Sequence, residues 1–381
     1  MDKKFVMGIA AMAALTLVSC SSDDLDSVSD NSSKNEAISF DGYLGRSAVA
    51  VNGTRGSEAT VETLKDKGFG VFGYQNSSAT HSTTESFVAN LFNNQKVTYD
   101  NTNSKWTYSP LKFWPSDGHI DFLAYAPYDV KNTTLTDGSK INNFTVSETI
   151  ADQTDLLWTN ATSQITEDIK KKKVNFQFHH ALSRLGYTVN LTGDYTSSNV
   201  TFTLNKITLA GSATDAEEGA FYTSGTIDLS KPTGNANLWS GQTGKQKFEW
   251  FSAGAQPVNI TYVDPSDPTK KPVSNPSTDY LFVIPQNFSK DKTPGGSDVD
   301  ELYVIVQYTI NYTDGTTPSV TNTVYKQIKK DFKQGKAYML NLTLGLPIEF
   351  DVDVTSVGAG VDGWGTDEGI NIGSNDTPWE R

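Results

Sequence analysis

The chain has 381 residues, a formal net charge of −13 at pH 7 and a single cysteine. An acidic protein of this kind lacks the basic surface that nucleic acids and anionic lipids require, which argues against both as partners. With one thiol no intramolecular disulfide can form, so a packed core must supply the stability.

The first residues, 1–19, resemble a secretory signal peptide. Lys3 and Lys4 precede the apolar run FVMGIAAMAALTLV. That run is too short to span a bilayer as a helix, which needs about 20 residues, but it matches the apolar region of a signal peptide. Cys20 ends the sequence LVSC, which resembles the lipobox of bacterial lipoproteins. We expect cleavage before Cys20 and lipidation of its thiol. The alternative is an ordinary signal with a chance or buried cysteine.

Residues 20–36 are predicted to be an acidic, disordered tether. The sequence SSDDLDSVSDNSSKNE cannot bury enough apolar surface to offset the entropy lost on ordering. Two or three acyl chains on Cys20 would hold it in a membrane, because each buried CH₂ contributes roughly 0.8 kcal/mol. Ser-Asp-Asp directly after the cysteine also resembles the signal that sends some Gram-negative lipoproteins to the outer face. We therefore expect an outer-membrane protein exposed at the cell surface. A generic spacer is the alternative.

The next stretch, AISFDGYLGRSAVAVNGTRGSEATVE, combines a candidate strand with candidate cleavage sites. Ile38, Phe40 and Tyr43 lie along the strand, and Arg46 and Arg55 follow among small residues and glycines. Loops of that composition are preferred sites of proteolytic nicking. We expect a cut after one arginine and prefer Arg55, which is nearer the first core strand. Two surface arginines in an ordinary loop are the alternative.

Strand patterns dominate the body of the chain. One short helix is predicted at TVETLKDKG, residues 60–68. Alternating β-branched and aromatic residues predict strands at 69–75, 119–128, 174–191, 200–211, 279–286, 302–315 and 336–357. We therefore expect an all-β sandwich architecture. Trp114 and Tyr125 lie in short aromatic runs and are expected in or near the core.

Motifs for cofactors and metals are weak. The pattern GxGxxG occurs at 68–73 and 358–363, but neither copy lies between a strand and a helix as a dinucleotide site requires. His179 and His180 are adjacent in a predicted strand, so their rings point to opposite faces. Only His81 and His119 remain. We expect no cofactor and no metal site.

Catalytic motifs are equally weak. The chain has no G-x-S-x-G sequence, and lipidation of Cys20 would leave no Cys–His pair. Acids such as those of DAEEG, residues 215–219, leave a glycosidase-like pair open, although an acidic surface is the better interpretation. The tryptophans could form a sugar-binding platform, but they more often anchor cores. We expect no enzymatic activity.

Eight stretches occur in the order and spacing of one known family: GFGVFGY (68–74), YSPLKFWP (108–115), IDFLAYAPY (120–128), DLLWTN (155–160), VNFQFHHALSRL (174–185), LFVIPQ (281–286), FKQGKAYMLNLTL (332–344) and IEFDVDVTSVGAGVDGW (348–364). Together they resemble the fimbrillin family of lipoprotein-derived pilins, the type V pilus subunits. The similarity covers essentially the whole mature chain, although no single stretch is diagnostic.

This resemblance implies two tandem transthyretin-like β-sandwich domains, which we place at 37–172 and 173–381. It also implies export as a lipoprotein, cleavage of shaft subunits by an arginine-specific protease and polymerisation by strand exchange with other subunits. The family includes anchor and tip subunits as well. This chain departs from a single processing site because it offers two arginines.

Two hypotheses follow. The first is a structural fimbrial subunit whose C-terminal run, DEGINIGSNDTPWER, donates a strand through the alternating Ile370 and Ile372. The second is a permanently lipidated surface protein, or a tip or anchor subunit, that binds host or bacterial surface glycans or proteins. They differ in whether the N-terminal strand is removable and whether the chain polymerises.

Overall fold

The observed elements are almost entirely β-strands. The computed structural model describes residues 37–44, 59–82, 85–128, 138–165, 173–233, 237–254, 256–264, 266–267, 269–276, 279–291, 299–346 and 348–356. Within these residues the chain forms 22 strands, one α-helix and two 3-10 helices. The predicted all-β fold is confirmed.

The strands are numbered in chain order. The first eleven are β1 Phe40–Leu44, β2 Phe69–Asn76, β3 Phe92–Asp100, β4 Lys105–Thr107, β5 His119–Ala126, β6 Lys140–Thr145, β7 Leu157–Ile165, β8 Val174–His180, β9 Ser183–Leu191, β10 Val200–Ala210 and β11 Ser224–Asp228. The others are β12 Trp239–Thr243, β13 Phe248–Ser252, β14 Val258–Ile260, β15 Val273–Ser274, β16 Leu281–Val283, β17 Gln286–Asn287, β18 Tyr303–Tyr312, β19 Val320–Gln327, β20 Asp331–Phe332, β21 Ala337–Gly345 and β22 Glu349–Ser356. The 3-10 helices span Ile150–Asp152 and Thr196–Ser198.

The α-helix, α1, spans Val61–Lys67 and confirms the predicted one. Thr60 caps its N-terminus by accepting the backbone N–H of Thr63 at 3.2 Å, while the Thr63 hydroxyl accepts the N–H of Thr60 at 2.6 Å. This reciprocal capping satisfies donors that a helix start leaves unpaired. Gly68 ends the helix with a φ of 73°, a backbone conformation that favours glycine.

The strands form five sheets. The largest has seven strands in the order β1-β8-β7-β5-β2-β3-β4. Two sheets are built on β13-β10-β18-β19, with β14 on β10, and on β15-β9-β21-β22, with β16 on β9. The smaller sheets are β12-β11-β6 and β17-β20.

The seven-stranded sheet covers two hydrophobic cores because successive side chains of a strand point to opposite faces. In β5, Phe122 faces the first core, whereas Leu123 and Tyr125 belong to the second. The sheet also curls, so that its two edge strands, β1 and β4, come near each other. The first core lies inside this curl and is rich in phenylalanine.

The second core collects the apolar faces of the remaining sheets. The chain passes from the seven-stranded sheet into them at Ala181 and Leu182, between β8 and β9. β6 lies between β5 and β7 in the chain, which both belong to the seven-stranded sheet, but β6 itself pairs with β11 in one of the smaller sheets. From Glu36 onward the chain forms one compact unit, and the predicted domain boundary at 172/173 stays a prediction.

Several local predictions are confirmed. Trp114 and Tyr125 are buried, with 3% and 1% of their surfaces exposed. The first GxGxxG pattern lies within β2, where a Cβ on Gly70 would come within 2.3 Å of the Tyr125 ring. That glycine therefore allows close packing of a ring within a strand, and the pattern does not lie between a strand and a helix. In the part of the chain that the structure describes, no helix has both the length and the apolar character to cross a membrane.

Candidate functional site

The strand β1 occupies one edge of the seven-stranded sheet. It pairs in parallel with β8, from Phe40 opposite Val174 to Leu44 opposite Phe178. The N–H of Val174 also donates to the carbonyl of Ser39 at 2.9 Å. In the sheet order β8 is the one neighbour of β1. A strand held in this way can be removed without separating other strand pairs.

Phe40 is the main side chain that β1 contributes to the first core. It is 2% exposed and its ring stacks on Phe176 with centroids 5.5 Å apart and planes 13° apart. Four further rings meet Phe40 edge-on or tilted at centroid distances of 5.5 to 6.5 Å. Together with Phe176 they surround the Phe40 ring, and we call this group the β1 seat. Its members are Phe69, Phe92, Tyr108, Phe122 and Phe176. Edge-to-face aromatic pairs stabilise beyond the area they bury.

The residues just before β1 are held by a loop of the first core. Ile38, which is 1% exposed, donates its N–H to the carbonyl of Lys112 at 2.9 Å. The Tyr108 hydroxyl donates to the carbonyl of Ile38 at 2.7 Å. Burial raises the pKa of the Tyr108 phenol, and the N–H of Lys112, which donates to the same oxygen, acts in the opposite direction. The phenol is thus kept neutral and able to donate.

The β1 seat can hold an extended segment with apolar side chains two residues apart. Ile38 and Phe40 have this spacing and both point into the first core. Without them, the aromatic side chains of the seat and the backbone edge of β8 would be exposed. Such an edge is a template for pairing with another strand.

The predicted lipidation, cleavage and donor residues all lie outside the described residues. These are Cys20, Arg46, Arg55, Ile370 and Ile372. Described structure ends at Leu44 and resumes at Ala59, whose N–H donates to Asp155 at 2.9 Å. Both arginines therefore belong to the segment that joins β1 to the start of α1. Their roles stay predictions.

The adjacent histidines behave as their strand position predicts. His180 is buried and its Nδ1 lies 3.0 Å from a carboxylate oxygen of Asp155. His179 points the other way, and its ring lies 6.2 Å from that of Trp158. Burial, followed by the neighbouring His180, lowers the pKa of His179. The two imidazoles lie in different environments, one beside Asp155 and the other beside Trp158, and do not converge.

The tryptophans of the described residues are core residues. Their exposed fractions lie between 1% and 9%: Trp106, Trp114, Trp158, Trp239 and Trp250. The indole N–H of Trp239 donates to the carbonyl of Ala181 at 2.7 Å, at the passage between the two cores. These five rings form no exposed platform for a sugar.

One cluster escaped the sequence analysis. His81, Glu85, His119 and Asp121 bring four potential ligand atoms within 4.8 Å of one another. His119 and Asp121 are the first and third residues of β5 and share one face. That H-x-D spacing was the available signal. The approach of the other two residues depends on strand pairing that no local pattern shows.

Comparisons with known proteins agree with this architecture. A family model described as fimbrillin-like matches residues 54–364. A crystal structure of a fimbrial protein from Bacteroides vulgatus superposes with a TM-score of 0.62 at 21% identity, covering 84% of this chain and 99% of the other. A fimbrial assembly protein from Parabacteroides distasonis gives a TM-score of 0.39 at 11% identity, covering 85% and 97%. No curated protein sequence matches this chain.

The family match spans far more than half of the chain, and the fold of the Bacteroides vulgatus protein extends over most of it. Fimbrillins are structural proteins of cell-surface fimbriae and not enzymes. This chain belongs to the fimbrillin-like family.

Proposed function

We propose that this chain is a fimbrial subunit that is exported as a lipoprotein, cut after an arginine and polymerised by strand exchange. Lipidation falls on Cys20. The cut falls after Arg55, with Arg46 as the second candidate. The partners are other fimbrial subunits, and the place of assembly is the outer surface of the cell.

The burial of β1 carries the proposal. Ile38 and Phe40 are nearly inaccessible, yet Phe40 belongs to a five-residue strand at a sheet edge and Ile38 lies just before it. A cut in the segment after Leu44 separates that strand covalently from the rest of the core. Loss of β1 then opens the β1 seat, and a complementary strand from a second subunit restores the lost burial and hydrogen bonds.

The C-terminal run offers a donor of matching pattern. Ile370 and Ile372 are two residues apart, as Ile38 and Phe40 are. Two apolar side chains with that spacing lie on one face of an extended strand, and the residue between them, Asn371, would face the other way. The donor therefore presents Ile370 and Ile372 to the β1 seat of the next subunit.

Cleavage and assembly are tested together on the purified full-length precursor. It is incubated with an arginine-specific protease, the new N-terminus is sequenced, and multimers that resist mild SDS are sought. We expect a start at Gly56, or at Ser47 if Arg46 is used, followed by a ladder of multimers. The Arg46→Ala/Arg55→Ala double variant should give neither.

The donor is tested separately from the cut. Ile370→Asp/Ile372→Asp should be cut normally but form no ladder, because charged side chains cannot enter an apolar groove. Asn371→Asp is the matched control and should form ladders as wild type does. Ladders from the double isoleucine variant would exclude this donor, and wild-type protein that stays monomeric after cutting would contradict strand exchange.

Lipidation has its own readout. Cys20→Ala should abolish palmitate labelling and partitioning into detergent, because no other thiol is available. Continued labelling of that variant would contradict the assignment. A wild-type protein that keeps its lipid and is never cut on the cell would indicate an anchor subunit instead of a shaft subunit.

A further inference from the structure

The geometry points to a metal site at one end of the seven-stranded sheet, and we infer that it binds one divalent transition-metal ion, with Zn²⁺ as the best match. The ligands are His81, Glu85, His119 and Asp121. This site shares no residue with the β1 seat and does not depend on strand exchange.

Strand pairing brings these residues together. His119 begins β5, and Asn76, the last residue of β2, lies opposite it in the antiparallel pair. The chain that leaves β2 therefore passes beside His119 and carries His81 to it, and Glu85 approaches from the same connection. The N–H of His81 donates to the Ser163 hydroxyl of β7 at 2.9 Å, which fixes the connection against the sheet.

Four of the six distances between the ligand atoms are close to those of a tetrahedral site. His81 Nδ1 lies 2.7 Å from Asp121 Oδ2 and 3.5 Å from Glu85 Oε2. His119 Nε2 lies 3.3 Å from the same Asp121 oxygen and 3.5 Å from the same Glu85 oxygen. Zinc bonds of about 2.0–2.1 Å in tetrahedral geometry place neighbouring ligand atoms about 3.3 Å apart. The other two pairs lie within 4.8 Å, and side-chain adjustment would bring the four atoms to equal distances around an ion.

Outer contacts orient three of the four ligands. His119 Nδ1 donates to the carbonyl of Ser78 at 2.6 Å, since that oxygen can only accept. Asp121 Oδ1 accepts the N–H of Ser163 at 2.7 Å, and Glu85 Oε1 accepts the Ser78 hydroxyl at 3.1 Å. Ligands of bound metals characteristically use their second polar atom in this way. The other polar atoms, His119 Nε2, Asp121 Oδ2 and Glu85 Oε2, converge on one point together with His81 Nδ1, which is hydrogen-bonded to Asp121 Oδ2 at 2.7 Å.

Charge balance calls for a cation between them. With its proton on Nδ1, His119 turns an Nε2 lone pair toward two carboxylate oxygens. His119 and Asp121 have side chains that are 0% exposed, and Glu85 Oε2 is buried without a hydrogen-bond partner among the described residues. Buried carboxylates need a paired charge or a metal. A divalent ion neutralises both carboxylates while leaving both imidazoles neutral.

The donor set selects the ion. Two imidazole nitrogens favour Zn²⁺ and its neighbours over Mg²⁺ and Ca²⁺, and carboxylates complete the set without thiolate. Four protein ligands leave no open position, which is the arrangement of structural and not catalytic zinc. The bound ion would join the β2–β3 connection to β5 and stabilise this end of the sheet.

Binding is tested on the full chain, expressed without a histidine tag, purified in detergent and dialysed against EDTA. The protein is mixed with ZnCl₂, freed of excess metal by gel filtration and analysed by mass spectrometry for metal content. We expect one zinc per chain, and no retained magnesium when MgCl₂ replaces it. Co²⁺ should give the visible absorption of a tetrahedral site. Wild-type protein that retains no zinc would overturn the inference.

Variants assign the ion to this cluster. Glu85→Gln and His81→Gln each remove one ligand at the more exposed side of the site and should lose the retained zinc. His179→Gln is the matched control, because it removes a histidine that lies elsewhere and should retain one ion. Near-ultraviolet circular dichroism checks that each variant folds. If Glu85→Gln does not fold, the zinc content of His81→Gln tests the assignment. Unchanged zinc content in the folded variants would overturn the assignment.

Stability gives an independent readout. Free zinc at about 100 times its Kd should lower the unfolding equilibrium constant of wild type about 100-fold, since only the folded chain presents the site. The same should hold for His179→Gln and not for His81→Gln. If zinc leaves the melting temperature of wild type unchanged, protonated histidines rather than a metal balance the two carboxylates, and the proposal fails.

Discussion

The described residues contain two parallel strand pairs, and the pairs differ in whether one strand lies at the edge of its sheet or inside it. β1 pairs with β8 over five residues, from Phe40 to Leu44, at the edge of its sheet. β21 pairs with β9 from Ala337 to Leu344 and is flanked on its other side by β22 from Tyr338 to Gly345. The first strand has one partner in the sheet order, whereas the second has two.

This difference separates a removable strand from a permanent one. Both strands bury apolar side chains, so burial alone does not distinguish them. Loss of β1 leaves the other pairs of its sheet intact, whereas loss of β21 would divide its sheet between β9 and β22. A strand-exchange subunit needs one removable edge strand, such as β1, in a scaffold of strands that are paired on both sides, such as β21.

The largest expected effect follows from truncating Phe40. In the uncut precursor, Phe40→Ala should lower the free energy of unfolding by about 3–5 kcal/mol, because the aromatic core collapses incompletely around the cavity. Denaturant unfolding followed by tryptophan fluorescence measures this change. Once cut and assembled, the variant and wild type should unfold identically, since residue 40 has left the subunit. A difference that persists in assembled multimers would mean that β1 stays in place.

Leu342 provides the corresponding test in the permanent strand. It is 1% exposed, pairs with Val352 on one side and Val189 on the other, and lies in the second core. Leu342→Ala should cost about 2–5 kcal/mol. The same denaturation series should show this loss both before cutting and after assembly. A loss that disappears on assembly would contradict the contrast between the two strands.

Sequence patterns predicted the strands that bury regular alternating side chains. The prediction at 200–211 matches β10, Val200–Ala210, and that at 69–75 matches β2, Phe69–Asn76. β3 was missed because Phe92 and Val97 are its only buried residues, so its sequence FNNQKVTYD shows no alternation. β12, WSGQT, buries Trp239 alone. The single run predicted at 174–191 forms two strands of different sheets, which no local pattern distinguishes.

The β1 seat and the proposed metal site also differ in how far the sequence predicts them, because local patterns show which side chains share a face but not which distant strands pair. Ile38 and Phe40 lie two residues apart, so their shared face is visible in the sequence. The proposed metal ligands lie on two separate stretches that meet through the pairing of β2 with β5. The adjacent His179 and His180 point apart, whereas His81 and His119, which are 38 positions apart in the chain, come together only in the tertiary structure.

A smaller effect is expected at Gly42 of β1. A Cβ there would lie 3.2 Å from Phe69 and 3.4 Å from Phe178, and both rings are buried and packed against further aromatic rings. Gly42→Ala should therefore destabilise the uncut precursor by about 1–3 kcal/mol through overpacking. The denaturation midpoint measures it. No loss, or the same loss in assembled multimers, would show that β1 does not pack against these rings as a removable strand.

The smallest effect is expected at Tyr108, whose hydroxyl donates to the carbonyl of Ile38. Tyr108→Phe should cost about 1 kcal/mol in the uncut precursor at neutral pH, because it removes the hydrogen bond to Ile38 next to β1 and the longer one from the N–H of Lys112. Burial raises the pKa of this phenol in the folded chain, and the opposing hydrogen bond from Lys112 is the weaker influence. The sign of the pH dependence follows from that direction.

Below the pKa of an unfolded tyrosine, about 10, the phenol is neutral in both states and the wild type keeps its full advantage. As the pH rises further, the unfolded chain loses the proton more readily than the folded chain, so wild-type stability declines. The phenylalanine side chain of the variant has no proton to lose. The stability gap between the two proteins should therefore narrow above about pH 10, as measured by denaturation at neutral and alkaline pH. A gap that widens instead would mean that the folded state favours the ionised phenol, which is incompatible with donation to Ile38.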